Sequence, residues 1–266
     1  MKKKLNRFFW QDSEMLLLNL HGTYVELSGE LHPLMGLIVS YFAVLSGPQY
    51  LQPEGQLASP HDKLQAPIII FMVGGPGCGK GVQCARLADK YNFYHVAIGD
   101  LLREEASRAT SKGKVIKDIM LKGALVPTGY ILDLLTDNML KSERVKGYFI
   151  EGFPREINQA RMFEEVVGRP PNIVIVFDCS TETMIQRLLI RSQMGERVDD
   201  HERIIRQRLE THYTLCEPVF TYYLQKSLLR NILAEEPPEV VFCKCCSVID
   251  DVLKAAASQA STNNPT

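Results

Sequence analysis

Gly74, Gly75, Gly77 and Gly79 precede a lysine and stand directly behind an apolar run. The segment reads Gly74-Gly75-Pro76-Gly77-Cys78-Gly79-Lys80-Gly81, and the run before it is Ile68-Ile69-Ile70-Phe71-Met72-Val73. Glycines let backbone N–H groups curl around an anion with no Cβ in the way. A helix-like stretch, Val82–Tyr91, comes next, and the start of a helix presents its positive end to phosphate. Lys80 adds a charge able to follow the β- and γ-phosphates of a nucleoside triphosphate. Gly77, Cys78, Gly79, Lys80, Gly81 and Val82 are therefore candidate triphosphate-binding residues. The spacing fits G-x-x-x-x-G-K, but Gly81 and then Val82 stand where a Ser or Thr hydroxyl is expected.

Arginine is the second chemical signal. Arg187 and Arg191 are four apart and share a helix face. Arg197 follows a short glycine-containing loop, and Arg208 lies about two turns into the next helix, whose start Asp199 and Asp200 are placed to cap. Arg103 and Arg155 come from two other loops. Arg169, Arg203, Arg206 and Arg230 read as solvated surface. Six guanidinium groups converging beside a phosphate loop would clamp phosphate oxygens bidentately. Phosphoryl transfer needs mainly positioning and charge neutralisation, which such a cluster supplies.

The elements must bring these groups together. Candidate strands are Ile68–Val73, Phe93–Val96, Gly147–Glu151, Ile173–Asp178 and Leu228–Leu233. Helical patterns cover Val82–Tyr91, Ile131–Lys141, Gln159–Val167, Thr183–Arg191 and His201–Gln225. The alternation predicts an α/β fold: a five-stranded parallel sheet with helices on both faces, of P-loop NTPase type. Ligands bind such sheets at the carboxyl ends of the strands. Three suggestive loops follow candidate strands there: Gly74–Lys80, Ile98-Gly99-Asp100 and Gly152-Phe153-Pro154-Arg155.

The chain of 266 residues is 45% hydrophobic and 23% charged, with a net charge of -1. No global basic field points to nucleic acid or to a membrane surface. Seven cysteines without regular spacing suggest reduced thiols. Cys243-x-Cys245-Cys246 has no histidine or second cysteine pair nearby, so zinc is not expected there. Residues 1–62 read as a poorly ordered extension and linker, with Pro48, Pro53, Gly55 and Pro60 as breakers. The apolar centre from Leu34 to Leu45 is short of the ~20 residues a spanning helix needs. Residues 63–254 form the expected catalytic domain, and 255–266 an expected disordered tail.

From about Ile68 to Asp250 the chain resembles the nucleoside monophosphate kinases, most narrowly the short, cytosolic type of adenylate kinase. The resemblance rests on residues 74–81, on Gly99-Asp100-Leu101-Leu102-Arg103, on Lys122-Gly123-Ala124-Leu125-Val126-Pro127, on Gly152-Phe153-Pro154-Arg155 and on Arg197-Val198-Asp199-Asp200. It implies ATP and AMP as substrates, Mg²⁺ held through ATP and waters, a monomer, and a cytoplasmic setting. It implies that Lys80, Arg155, Arg197, Arg208 and Glu151 carry catalysis. Arg187, Arg191 and Glu236 would lie on the ATP side. Ile98, Arg103, Ala124, Leu125, Val126, Gly152, Phe153, Pro154, Arg155, Gln159, Arg197 and Arg208 would bind AMP, with Gln159 reading adenine. A flap over about 97–126 and a short lid over about 190–200, without a four-cysteine insert, would close and exclude water.

Four departures from the family pattern matter. Val82 replaces a Thr, Ile98 a Thr before Gly-Asp, Glu151 an Asp near the metal waters, and Glu236 a Gly beside the ATP adenine. Cys78 also replaces a loop Ser. Two alternatives to adenylate kinase stay open at this stage: a pyrimidine monophosphate kinase, and a nucleotide-binding module with weak turnover. A P-loop GTPase or motor ATPase fits poorly, since position 81 is Gly.

Overall fold

The computed structural model describes two short strands near the N-terminus and residues 64–262 apart from 143, 144, 196 and 198. Backbone contacts divide the chain into residues 1–56 and residues 57–266. In the first unit, β1 (Leu16–Leu20) and β2 (Thr23–Leu27) pair antiparallel, with Leu16 opposite Leu27. Residues 1–62 therefore include a hairpin, not only an unordered extension. Its second strand is rich in Thr, Tyr and Val, which suit extended backbone. The apolar stretch 34–45 and the expected linker lie outside the described residues.

The second unit runs β3 (Ile68–Gly74), α1 (Lys80–Tyr91), β4 (Tyr94–Ala97), α2 (Ile98–Ser107), α3 (Ser111–Leu121), α4 (Thr128–Lys141), β5 (Gly147–Glu151), α5 (Ile157–Val167), β6 (Ile173–Asp178), α6 (Thr181–Gln193), α7 (Glu202–Gln225), β7 (Leu229–Leu233) and α8 (Pro238–Thr262). Its five strands form one parallel sheet in the order β4-β5-β3-β6-β7. All five expected strands are present within one residue of their expected bounds. β3 is central and covered on both faces, which is why its sequence is continuously apolar. Its side chains alternate: Ile69, Phe71 and Val73 enter one core, Ile70 and Met72 the other. Phe71 packs edge-on against Phe153, Phe163 and Tyr223 and fixes α5 and α7 on the first face. The chain passes from β3 to β4 and β5 on one side, then crosses to β6 and β7 on the other, so a crevice opens at the carboxyl end of β3.

Three helices were not foreseen. α2 begins at Ile98, so the segment Ile98-Gly99-Asp100, expected as a loop, is its first turn, and Arg103 sits on a helix. Gly99 masks this start, and Ala97 caps it without a side-chain bond. α3 follows with Thr110 as its cap. α8 continues through Thr262, so residues 255–262 are helical where a disordered tail was expected. Val241, Cys245 and Ile249 recur on one face and are buried against β7 and α1, with cysteine acting as a small apolar residue. Alanine-rich sequence then extends the packed helix at little cost. Among the described residues, no helix is long and apolar enough to cross a membrane.

Arg169 is not a solvated arginine. Its guanidinium donates to the Leu64 oxygen at 3.0 and 3.2 Å, to Asn172 Oδ1 at 3.1 Å and to the Pro67 oxygen. Asn172 Oδ1 also accepts from the Ile69 N–H at 2.8 Å, so the group ties the chain entering β3 to the loop before β6. Arg206, by contrast, pairs among the described residues with exposed Glu202 alone. Arg169→Ala is expected to lower unfolding free energy by about 1–3 kcal/mol through orphaned carbonyls. Arg206→Ala should change it by less than about 0.5 kcal/mol. Urea denaturation of both variants checks this.

Candidate active site

The site grows from the turn after β3. Gly77 has a φ of 85°, and a Cβ there would stand 2.7 Å from the Met184 oxygen, so the loop can lie against α6 only with glycine. Gly79 caps α1 with a φ of 94°, no side-chain cap and no acid in the first turn. The first N–H groups of α1 are thus left to an anion. Lys80 Nζ donates to the oxygens of Gly74 at 2.8 Å and Gly75 at 2.7 Å and lies 3.2 Å from Cys78 Sγ, which centres the ammonium over the loop.

A cleft of about 580 Å³ opens above this loop. Its wall includes Gly77, Gly79, Lys80, Gly81, Val82, Ile98, Arg103, Ala124, Leu125, Val126, Glu151, Gly152, Arg155, Arg187, Arg191, Arg197 and Arg208. All six arginines singled out in the sequence therefore reach one cavity. The rest of the expected set lies behind it. Phe153 is fully buried in the core, Pro154 is buried beside it, and Cys78 faces inward under the loop. Glu236 pairs with Lys244 outside the cleft wall. Gln159 is buried: its Oε1 accepts from the Arg155 N–H at 2.8 Å, while its Nε2 has no hydrogen-bond partner.

Charge organises the wall. Asp199 and Asp200 do not cap α7, whose cap is His201; both are buried among the arginines. Arg191 binds Asp200 bidentately at 2.5 and 2.8 Å. Arg208 lies 2.9 Å from Asp199 and 3.1 Å from Asp200. Arg103 contacts Asp100 and, at 3.8 Å, Asp199. Lys80 and Arg155 make no ion pair among the described residues. Burial first, and then the neighbouring Arg103, pushes Arg155 and Arg197 below the usual arginine range. Arg208 also falls, chiefly through burial. Burial pushes the Glu151 carboxyl up, but the hydrogen bond from His95 at 2.9 Å and the Lys80 charge outweigh it, and the net shift is downward. A wall with seven cationic side chains and only Glu151 and Asp199 as acids suits a polyanion.

Residues 72–228 match the family profile described as Adenylate kinase. Adenylate kinase isoenzyme 1 of Rattus norvegicus is 44% identical over 192 residues, covering 72% of this chain and 98% of that protein. The Homo sapiens isoenzyme 1 is 44% identical over 190 residues, covering 71% and 97%. Adenylate kinase isoenzyme 5 of Mus musculus is 46% identical over 185 residues, and here the chain spans only 33% of its relative. The chain belongs to the adenylate kinase family. The parallel sheet, the loop after β3 and the arginine-lined cleft are the features by which this adenylate kinase-type chain could handle phosphate.

Sequence reasoning missed several wall residues. Asp199 is among them as a cleft residue, and so are Met120, Thr211, His212 and Cys216. His212 Nδ1 lies 3.1 Å from Cys216 Sγ, one helical turn along α7. The i, i+4 spacing was visible, but only the fold aims that pair at the loop. Burial, then Lys80 and Arg155, depresses His212 to about 4. Burial raises Cys216 to about 11. A histidine whose folded pKa lies below its ordinary 6.5 favours the fold when neutral. Its contribution is complete above pH 6.5 and is lost as the pH falls towards about 4. His212→Phe should therefore flatten the stability profile across that window, by on the order of 3 kcal/mol at most. Thermal unfolding of parent and variant at pH 7.5 and pH 4.5 measures this.

Proposed function

We propose that the chain transfers the γ-phosphoryl group of ATP to AMP, giving two ADP. A phosphate oxygen of AMP attacks the γ-phosphorus, the bond to the β-phosphate oxygen breaks, and no covalent enzyme intermediate forms. The observation that carries this reading is the excess of cations in the cleft: Lys80 and six arginines line it against Glu151 and Asp199, and Lys80 and Arg155 make no ion pair among the described residues. Cations gathered in excess of their counterions repel one another, and a bound phosphate chain offsets that cost.

Gly77, Gly79, Lys80, Gly81 and the start of α1 cradle the triphosphate, with Val82 at its edge. Arg187 and Arg191 on α6 flank that side. Arg103 on α2, together with Ala124, Leu125, Val126 and Gly152, lines the monophosphate half. Arg155, Arg197 and Arg208 stand between the halves, where charge spreads over the transferring group. Gln159 holds the Arg155 N–H from behind the cleft wall, and its Nε2, without a hydrogen-bond partner among the described residues, is the donor we assign to adenine. Ile98 contributes only apolar surface there.

Mg²⁺ fits this site. A hard cation takes oxygen donors and keeps several waters, and the Glu151 carboxylate beside Lys80 and Gly81 is such a donor. When bound with ATP, it would neutralise phosphate charge as the bridging bond breaks. Val82 supplies no oxygen, and its side chain is 60% exposed at the cleft. We read the chain as a cytoplasmic monomer with no nucleic-acid or membrane partner. The catalytic unit is residues 63–254, with a flap near 97–126 and a lid near 190–200.

Lys80→Met and Arg155→Ala should each lower turnover by about 100-fold or more while leaving the unfolding transition in place. A coupled assay of ADP formation checks both, and near-parent activity in either would remove that residue from its role. The same assay with AMP, dAMP, UMP and CMP should favour AMP; equal or greater rates with UMP or CMP would make the chain a pyrimidine nucleotide kinase. Restoring a hydroxyl with Val82→Thr should raise turnover about fivefold, the equivalent of about 1 kcal/mol.

A further inference from the structure

Three side chains of different donor chemistry meet behind the nucleotide cleft. Cys84 comes from α1, His95 from β4 and Glu151 from the end of β5. His95 pairs with Phe149 and Ala97 with Glu151, so His95 and Glu151 are diagonal neighbours on one sheet face. α1 covers that face and lays Cys84 against it. One ligand atom from each residue, the sulfur, an imidazole nitrogen and a carboxylate oxygen, lies within 4.8 Å of the others. His95 Nε2 and Glu151 Oε2 are already 2.9 Å apart.

The donor set has a chemical meaning. Thiolate, imidazole and carboxylate together suit zinc-class cations, whereas Mg²⁺ asks for oxygen alone. Tetrahedral bonds of about 2.0–2.3 Å place ligand atoms roughly 3.3–3.8 Å apart, so closing this cluster needs shifts of about 1 Å. A divalent ion with one thiolate and one carboxylate is neutral overall, which limits the cost of burying it. Three protein ligands leave a fourth position open, and Glu151 lines the cleft through which an ion enters. The thiol of Cys84 is fully buried and held well above its ordinary range by that burial. The thiol is thus neutral without metal, and binding releases its proton to solvent.

We propose that Cys84, His95 and Glu151 form an inhibitory site for a zinc-class divalent cation, separate from the Mg²⁺ that accompanies ATP. The ion draws the Glu151 carboxylate out of the nucleotide cleft and ties α1 to β4 and β5. The inhibitory part rests on the phosphoryl-transfer reading above, whereas the binding part stands without it.

Co²⁺ added to the reduced full-length chain in the absence of nucleotide is the probe. Binding of one equivalent should produce a thiolate-to-cobalt charge-transfer band with the visible spectrum of a four-coordinate ion, and Zn²⁺ should displace it. Cys84→Ser should abolish the band, and His95→Gln should weaken binding at least about tenfold. Under Mg²⁺ alone, Cys84→Ser should turn over like the parent. At the Zn²⁺ concentration that halves parent turnover, Cys84→Ser should keep its activity, and a chelator should restore the parent. No thiolate band, or a band unchanged in both variants, overturns the site. A band with turnover unaffected by Zn²⁺ overturns the inhibitory role. Absence of any turnover by the parent would count against the phosphoryl-transfer reading while leaving the spectral test intact.

Discussion

Positive charge in excess of its counterions at the end of β3 is the constraint around which the catalytic unit is arranged. Among the described residues, the Lys80 ammonium donates to two loop carbonyls and a sulfur, and the Arg155 side chain to the Gly152 oxygen. Such groups need rigid support, because each gains by swinging out to water. The support is the central strand buried on both faces, the glycine turn pressed against α6, and the aromatic cluster around Phe71. Asp199 and Asp200 do the complementary work. They bridge Arg103, Arg191 and Arg208, and so hold guanidinium groups from three helices near one another despite their repulsion. A compact cationic wall follows from burying two acids among more cations than they neutralise.

The departures from the family pattern fall at positions where the framework tolerates them. Val82 occupies an exposed place in the first turn of α1, so its loss is of a hydroxyl and not of packing. Ile98 is buried at the start of α2 and adds to the core beneath the cleft wall. Glu151 meets His95 while its carboxylate still faces Gly81 and the cleft. The same carboxylate is shared with Cys84 and His95. One substitution therefore touches both the nucleotide cleft and the donor cluster behind it.

Legibility differed among residues for physical reasons. β3, β5 and β6 were readable because buried parallel strands are apolar along nearly their whole length, the edge strands β4 and β7 by their place in the strand–helix alternation, and the arginines stood out by type and spacing as a group that the fold brings to one cleft. α2 was not, because Gly99 opens it and its apolar face is short. α8 was not, because cysteines occupy its buried face. Arg169 looked like solvated surface since nothing local shows the carbonyls it binds, which lie about a hundred positions away in the chain. Asp199 and Asp200 looked like helix caps, which is what adjacent acids before a helix usually are; their burial among arginines is a tertiary fact.

The sequence by itself determined the parallel α/β architecture, the loop after β3, the six arginines that serve the cleft, and the family to which they point. Local chemistry sufficed there, because apolar runs, glycine placement and residue type carry the information. The tertiary structure alone decided which cations stay unpaired, that Phe153 and Pro154 support the site from behind, that His212 and Cys216 face the loop, and that Cys84, His95 and Glu151 converge. Those outcomes depend on distances between elements remote in the chain, and burial and charge pairing act through space, not along sequence.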